Sequence, residues 1–350
     1  MMRPTIEIAG RRIGGGNAPY VIAELSGNHN GNIDCALRLI QAAKEACVDA
    51  VKLQTYTADT ITIDHDGPEF LVKGGLWGGR KLYDLYREAH TPWEWHEALF
   101  AKGRELGITV FSTPFDSTAV DFLEDLGAPA YKIASFEVVD LPLIRRVAAT
   151  RRPIIMSTGL ADFAEIAEAV DAAREAGCSE LALLHCVSAY PAPPEDMNLK
   201  TISHLASAFD VVTGLSDHTL GTVVATTAIG AGAAIIEKHV TLRRAEGGPD
   251  AAFSLEPHEL ERFVKEARIA HSALGQASYA REPSERDSLV FRRSLYAVSD
   301  IAAGEVLTTR NVRSIRPGYG LPPKMLPDLL GRRAAREIRR GTPLSLDLIR

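Results

Sequence analysis

The feature that most constrains this chain is a repeated pattern. Eight short apolar, β-rich runs recur between residues 19 and 241: PYVIAEL from Pro19, AVKLQTY from Ala50, ITVFSTPF from Ile108, AYKIASF from Ala130, PIIMSTG from Pro153, LALLHCVSAY from Leu181, DVVTGLSD from Asp210 and AAIIEKHVT from Ala233. Each is followed by a helical pattern. Strands that read as nearly continuous apolar runs are covered on both faces, as in parallel sheets. Eight successive β-then-α units predict an α/β fold, a (β/α)8 TIM barrel, ahead of an open doubly wound sheet. No G-x-G-x-x-G or phosphate-loop motif follows any run to favour the second. Two helix starts are legible: Thr91-Pro92-Trp93-Glu94 as N-cap, N1 proline and capping-box glutamate, and Asp162 with Glu165 as the same box after the fifth run.

Around the barrel, assigned to residues 19–274, the reading places an N-terminal segment 1–18, in which Thr5 to Ile13 form a short hairpin that plugs the barrel bottom. A polar linker, 275–288, leads to a separate β-rich module, 289–350, with short strands and Gly and Pro turns. Composition, 46% hydrophobic and 24% charged, is that of an ordinary globular protein. The net charge of −6 hides a split. Residues 281–350 hold 14 basic against 8 acidic residues, net +6, and residues 1–280 hold 25 against 37, net −12. Two units that attract each other, or a basic module that meets an anion, account for this. The tail's arginines are scattered among Leu, Pro and Gly, and no nucleic-acid partner is expected. The four cysteines form no C-x-x-C pair, which argues against a disulfide framework or structural zinc and for a reducing, cytoplasmic setting. No apolar stretch reads as a leader or membrane span, and no membrane partner is expected.

In barrels of this kind the active site lies at the C-terminal strand ends. There the runs carry Glu24; Lys52 and Gln54; Ser112 and Thr113; Lys132, Ser135 and Glu137; Ser157; His185, Ser188 and Tyr190; Ser216 and His218; and Glu237 and His239. Lys52 and Gln54 are two apart and share a face, with Val51 and Leu53 toward the helices. Lys52 and Lys132 lie inside apolar strands, where an ammonium without an anion is costly. They either form structural ion pairs with Glu24 and Glu137 or hold an anionic ligand, with Ser112, Thr113, Ser135 and Ser157 as neutral donors. His218 and His239 end adjacent strands and suit a divalent ion such as Mn²⁺, Fe²⁺, Co²⁺ or Zn²⁺. Glu237 is read as a third ligand or as the group that orients His239. His90 and His96 are read as surface or helix-cap residues, and His29 stays open.

The strings AELSGNHNG, VKLQTYTADT, FSTPFD, YKIASFE, STG, LLHCVSAYPAP, GLSDHTLG and IEKHVT, in this order, resemble the sialic acid synthase family of nonulosonic acid synthases. The tail, with AGEVLTTRNVRSIRPGYG and RAAREIRRGTPLSLDLI, resembles that family's antifreeze-like SAF domain. LYDLYREAHTPWEWH and SLVFRRSLYAV look most like the branch that makes pseudaminic acid, with the neuraminate and legionaminate branches as alternatives. The resemblance implies condensation of phosphoenolpyruvate with an N-acetylated amino sugar, here a diacetamido-deoxyhexose, in its open-chain aldehyde form. It implies a divalent metal, Mn²⁺ first, with Mg²⁺ or Co²⁺ as alternatives.

Carried over by residue, Lys52, Thr113, Lys132, Ser135, Ser157, Ser188 and Ser216 would bind phosphoenolpyruvate, and His218 and His239 the metal. Gln54, Glu137, Tyr190 and Asp250 would meet the sugar, with Arg316 arriving from a second subunit in a domain-swapped homodimer. Glu24, Glu137 and His239 are the catalytic candidates. Ser188 departs from the Asn of sialic acid synthases. Two other functions compete for the same residues. A 3-deoxy-ulosonate phosphate synthase would need a second phosphate site and no SAF module, and a non-enzymatic carbohydrate-binding protein would leave the charged barrel mouth without a purpose.

Overall fold

The computed structural model describes residues 4–350, so residues 1–3 of the N-terminal segment lie outside the described residues. The chain divides into two compact units, one ending at Gly275 and the other running from Gln276 to Arg350.

In the first unit, β1 (Thr5–Ile8) and β2 (Arg11–Gly14) form an antiparallel hairpin. Eight parallel strands then close a barrel: β3 (Tyr20–Glu24), β4 (Ala50–Thr55), β5 (Thr109–Pro114), β6 (Tyr131–Ile133), β7 (Ile154–Ser157), β8 (Leu181–Cys186), β9 (Val212–Asp217) and β10 (Ile235–His239), the last pairing back to β3. This is the TIM barrel that the sequence pattern predicts. Residues whose side chains point out of the barrel, such as Val51, Leu53, Ile133 and Leu183, join the helices in one continuous core. Those that point in form a second core at the lower end, where Ile6, Ile8 and Ile13 of the hairpin pack against Ile22, Ala50, Phe111, Ile155 and Leu184. The barrel is therefore stoppered at its N-terminal end.

Strand alternation sets up the opposite end. Two residues beyond Ile22, Ala50, Phe111, Ala130 and Ile155, on the same inward face, stand Glu24, Lys52, Thr113, Lys132 and Ser157. One layer of the interior is greasy and the next is polar.

Helix starts divide. Asp162 and Glu165 form the expected reciprocal capping box on Phe163–Glu175. At the other predicted start the α-helix begins at His96, behind a 3-10 turn over Trp93–Trp95, with no side-chain cap. His96 is fully buried, with Nε2 2.8 Å from Thr55 Oγ1, which is 2.6 Å from Ser112 Oγ. The surface or cap reading of His96 is corrected: satisfying its imidazole inside the barrel wall fixes where the helix starts. Ser112 is spent in the same contact, on the outward face of β5, and is no pocket donor. His90 Nδ1 donates to the Arg87 carbonyl at 2.7 Å beyond a helix end, and His29 packs edge-on to Trp95 and meets Thr91 Oγ1 at 3.3 Å.

In the second unit β11 (Ser294–Ala297) and β12 (Val312–Ile315) pair antiparallel, with isolated bridges such as Ile301↔Ile338 and Ala334↔Ile349 around a core of Leu295, Ile301, Leu307, Val312 and Ile338. Residues Pro283–Phe291 wind into 3-10 turns, although the sequence carries no period there to announce them. Among the described residues no helix is long and apolar enough to cross a membrane.

Candidate active site

The inward polar layer is one connected network. Lys52 Nζ lies 3.0 Å from Glu24 Oε2, 3.3 Å from Glu237 Oε1 and 3.4 Å from Thr113 Oγ1. Lys132 Nζ donates to Ser157 Oγ at 2.7 Å and lies 3.7 Å from the same Glu237 oxygen, to which Ser216 Oγ donates at 3.0 Å. Gln54 Nε2 donates to Glu24 Oε1 at 2.8 Å. The structural-pair alternative is thus half met: Lys52 pairs with Glu24, but the acid shared by the two lysines is Glu237, not Glu137. The reading of Glu237 as a ligand or orienter of His239 is corrected accordingly. It shares a face with His239 but sits two residues deeper, at the level of the ammonium groups.

Electrostatics rank the acids. Burial works against ionising Glu237, but Lys132 and Lys52, with Ser216 donating, overcome it and hold its carboxyl at about 2. Burial raises Glu24 to about 7 despite Lys52 beside it, and raises Glu137 to about 7 despite Lys132. Burial pulls Lys132 below its ordinary value, whereas Glu237 and Glu24 outweigh burial and keep Lys52 above it. With Glu24 protonated, two cations face one anion, and Glu137 Oε2 and Glu237 Oε2 are buried without a hydrogen-bond partner. A buried ammonium that shares its one acid neighbour marks a place prepared for an anionic guest.

The remaining anion-site residues close one side. Ser135 Oγ accepts from Gly159 N at 3.2 Å, and a Cβ at Gly159 would collide with the hydroxyls of Ser135 and Ser188. That position in the S-T-G turn needs glycine because two pocket hydroxyls approach the backbone.

The two histidine rings stand 5.3 Å apart, edge to face. His218 Nδ1 donates to the Val187 carbonyl at 3.0 Å, which leaves Nε2 as the lone-pair nitrogen, the tautomer expected of a metal ligand. His239 Nδ1 is buried without a hydrogen-bond partner, 3.6 Å from Asp250 Oδ2, and burial lowers its pKa well below the usual value, keeping it neutral. At His218 burial works against the proton, but Cys186 and the Val187 carbonyl outweigh it and raise the pKa, so this ring gives up a proton before its Nε2 can bind a cation. With that, the two imidazoles each offer a nitrogen to a divalent ion. Among the described residues no group of three or more His, Cys, Asp or Glu side chains is arranged to hold one, so water or substrate would complete the shell.

Asp250 itself accepts from Ser26 Oγ, and its backbone N donates to Asn28 Oδ1 at 3.2 Å, so the loop after β3 fastens the loop after β10. Ser26 holds φ +49°, a strained conformation for a non-glycine, and that backbone carries the hydroxyl bonded to Asp250. Tyr190 lies 4.4 Å from the His218 ring, centroid to centroid. His185 points out of the barrel and bonds the Met197 carbonyl. Arg316 lies in the second unit, exposed on a turn.

Sequence reasoning missed Cys186, whose Sγ lies 3.8 Å from His218 Nδ1. Burial raises its thiol pKa, but His218, Ser135 and Lys132 outweigh burial and lower it. The signal was available, since Cys186 falls on the inward face two residues after Leu184.

The raised Glu137 carboxyl gives a direct stability test. Its proton is bound more tightly in the fold than in the unfolded chain, whose value is 4.5, so its contribution is full below that value and is lost as pH rises through about 7. Glu137→Gln, neutral throughout, should match the parent chain in melting temperature at pH 4 and exceed it by a few degrees at pH 8. An offset that does not change with pH would contradict the shift.

The NeuB family model matches residues 39–279 and the SAF domain model residues 292–350. The chain is 43% identical over 325 residues, 93% of its own length and 95% of the relative's, to the pseudaminic acid synthase of Campylobacter jejuni subsp. jejuni. It is 35% identical, over 93% of each chain, to the N,N'-diacetyllegionaminic acid synthase of Legionella pneumophila. Among solved structures it resembles the N-acetylneuraminic acid synthetase of Leptospira borgpetersenii in complex with citrate, with TM-score 0.74 and 31% identity, covering 82% of this chain and 96% of that one.

Proposed function

This chain belongs to the NeuB family, and from that premise we propose that it is a pseudaminic acid synthase, a carbon–carbon bond-forming transferase. In this reading phosphoenolpyruvate, 2,4-diacetamido-2,4,6-trideoxy-L-altrose as its open-chain aldehyde, and water give pseudaminic acid and phosphate. The observation that carries the chemistry is the second buried ammonium, Lys132, whose one acid neighbour, Glu237, is shared with Lys52, in a layer ringed by serine and threonine hydroxyls.

Lys52 and Lys132 neutralise the phosphate and carboxylate of phosphoenolpyruvate, and Thr113, Ser135, Ser157, Ser188 and Ser216 supply hydroxyl donors. C3 of the enol attacks the aldehyde carbon, forming the new bond and leaving positive charge at C2. Water adds to C2 and loses a proton, and the tetrahedral intermediate expels phosphate by C–O cleavage. Glu24 and Glu137, both raised to about 7 by burial, stand ready to accept the proton of that water and to return one to the new alkoxide. Gln54, Tyr190 and Asp250 meet the sugar. His218 and His239 would hold a divalent ion, Mn²⁺ first and Mg²⁺ or Co²⁺ otherwise, which supplies Lewis-acid polarisation of a carbonyl oxygen. Reactants held in near-attack geometry would shed part of the bimolecular entropy cost. Four free cysteines suit a cytoplasmic enzyme.

The deciding test is phosphate release from phosphoenolpyruvate with a panel of the pseudaminic, legionaminic and sialic acid precursor sugars. Highest kcat/KM with the first supports the reading, and preference for either of the others reassigns the product. No release with any of the three would overturn the synthase reading.

The proposed assembly is a C2 dimer in which the partner subunit's Arg316 reaches each site. Arg316→Ala and Lys52→Ala chains, each nearly inactive alone, should regain about a quarter of wild-type sites when mixed in equal amounts and allowed to exchange, since one site of each heterodimer is intact. Demonstrated exchange with no recovery would show that Arg316 serves its own chain.

A further inference from the structure

Between β4 and β5 the chain makes an exposed strap. Leu71 and Lys81 bridge antiparallel; Val72 N donates to the Arg80 carbonyl at 2.9 Å and Gly79 N to the Val72 carbonyl at 2.8 Å. The tip reads Gly-Gly-Leu-Trp-Gly-Gly. Gly74, Gly75 and Gly79 hold φ of +81°, +69° and +82°, where only glycine is unstrained, and a Cβ at Gly78 would press on the Gly74 backbone. The strap's base is held by charge, Lys81 to Asp64 and Asp66 and Arg80 to Glu88. Its tip is fixed differently. From Lys73 to Gly79 every residue is exposed except Trp77. The indole Nε1 donates to the Pro249 carbonyl at 2.9 Å, and the ring lies 5.3 Å from that of Tyr190.

Aromatic surface continues inward from Trp77. Tyr190 stands 5.5 Å from Phe253, and Phe253 4.9 Å from His239, so the wall ends at the two histidines, with Asp250 next in sequence to the proline that Trp77 bonds. A ligand with its polar, reacting end at the histidines would lay its body along this wall. Ordering a glycine-rich loop costs backbone entropy, and a loop held down at its tip by one aromatic side chain makes that side chain part of whatever lies beneath it.

We propose that Trp77 is a specificity-determining residue, the outer wall of the sugar subsite, selecting an acylated, deoxygenated sugar over a hydroxylated one. The inference rests on the synthase reading above and deepens it. A 2,4-diacetamido-2,4,6-trideoxy sugar presents two acetyl methyls and a C6 methyl. A hydroxyl in place of any of these would lose water against the indole without gaining a partner.

The test is steady-state phosphate release by Trp77→Ala and Trp77→Phe chains, with 2,4-diacetamido-2,4,6-trideoxy-L-altrose and with N-acetylmannosamine, alongside the melting-temperature shift caused by phosphoenolpyruvate. Trp77→Ala should raise KM for the diacetamido sugar by about tenfold or more and shrink its advantage over N-acetylmannosamine by a similar factor. Trp77→Phe should restore most of both. The KM for phosphoenolpyruvate and its melting shift should stay as in the parent chain. A sugar KM and preference unchanged in Trp77→Ala would overturn the assignment. So would equal losses toward both substrates, which mean that the strap only supports the barrel. If the parent chain released no phosphate with either sugar, the pseudaminic acid reading would fail first and the assignment with it.

Discussion

Lys132→Met should abolish the stabilisation of this chain by phosphoenolpyruvate and lower kcat/KM by about a thousandfold or more, while leaving the barrel folded. Lys132 is 1% exposed, and its nearest acid oxygen, 3.7 Å away, is shared with Lys52. A buried cation so weakly compensated binds an anion strongly, because both have left water and little screens them. At phosphoenolpyruvate concentrations about 100 times Kd the parent chain gains about 2.7 kcal/mol. At about 2–4 °C per kcal/mol for a domain of this size, the shift is readily read in a melting curve. Methionine fills the lysine's volume without its charge and leaves Glu237 with Lys52 and Ser216, so unfolding is not expected. Lys52→Met should lose the shift as well, but at a larger cost in stability, since it removes the ammonium that Glu24 and Glu237 share. An undiminished shift in both variants would make the lysines structural ion pairs and nothing more.

His239→Ala should cost about a thousandfold in activity and remove Mn²⁺ binding, read independently by the resonance of free Mn²⁺ in titration. His239 is a sound target because its Nδ1 has no hydrogen-bond partner, so alanine breaks no hydrogen bond made by that nitrogen. Exhaustive chelation of the parent chain should abolish activity, and Mn²⁺ or Co²⁺ should restore it. Full activity at verified zero metal would refute the assignment of both histidines.

Much of this was legible because strand alternation is rigid. Once eight runs are placed in a barrel, the period of two sends Lys52, Thr113, Lys132 and Ser157 inward without further information. The same rule exposes the misreading of Ser112, which directly precedes inward-facing Thr113 and so must face the helices, where His96 waits. Depth was harder than direction. Glu237 and His239 share a face, but nothing in one strand says that the former lies level with Lys52, two strands away, and Lys132, across the barrel. Asp250 and Trp77 sit on loops outside any period, and only the resemblance named the first. Trp77 carried a signal of its own, a large apolar residue bracketed by glycine pairs, which gains meaning only when Tyr190, 113 residues later in the chain, is brought against it.

The hairpin that stoppers the lower end has a kinetic consequence. A barrel closed at one end is a blind well, in which traffic runs through a single mouth. Under the proposed assignments the lysines that hold phosphoenolpyruvate lie deepest, and the sugar's wall of Tyr190 and Trp77 stands above them. Whatever occupies the upper berth blocks the way to the lower. The enol acid therefore has to arrive first, the sugar seals it in, and phosphate formed at the bottom waits for the sugar acid above it to leave.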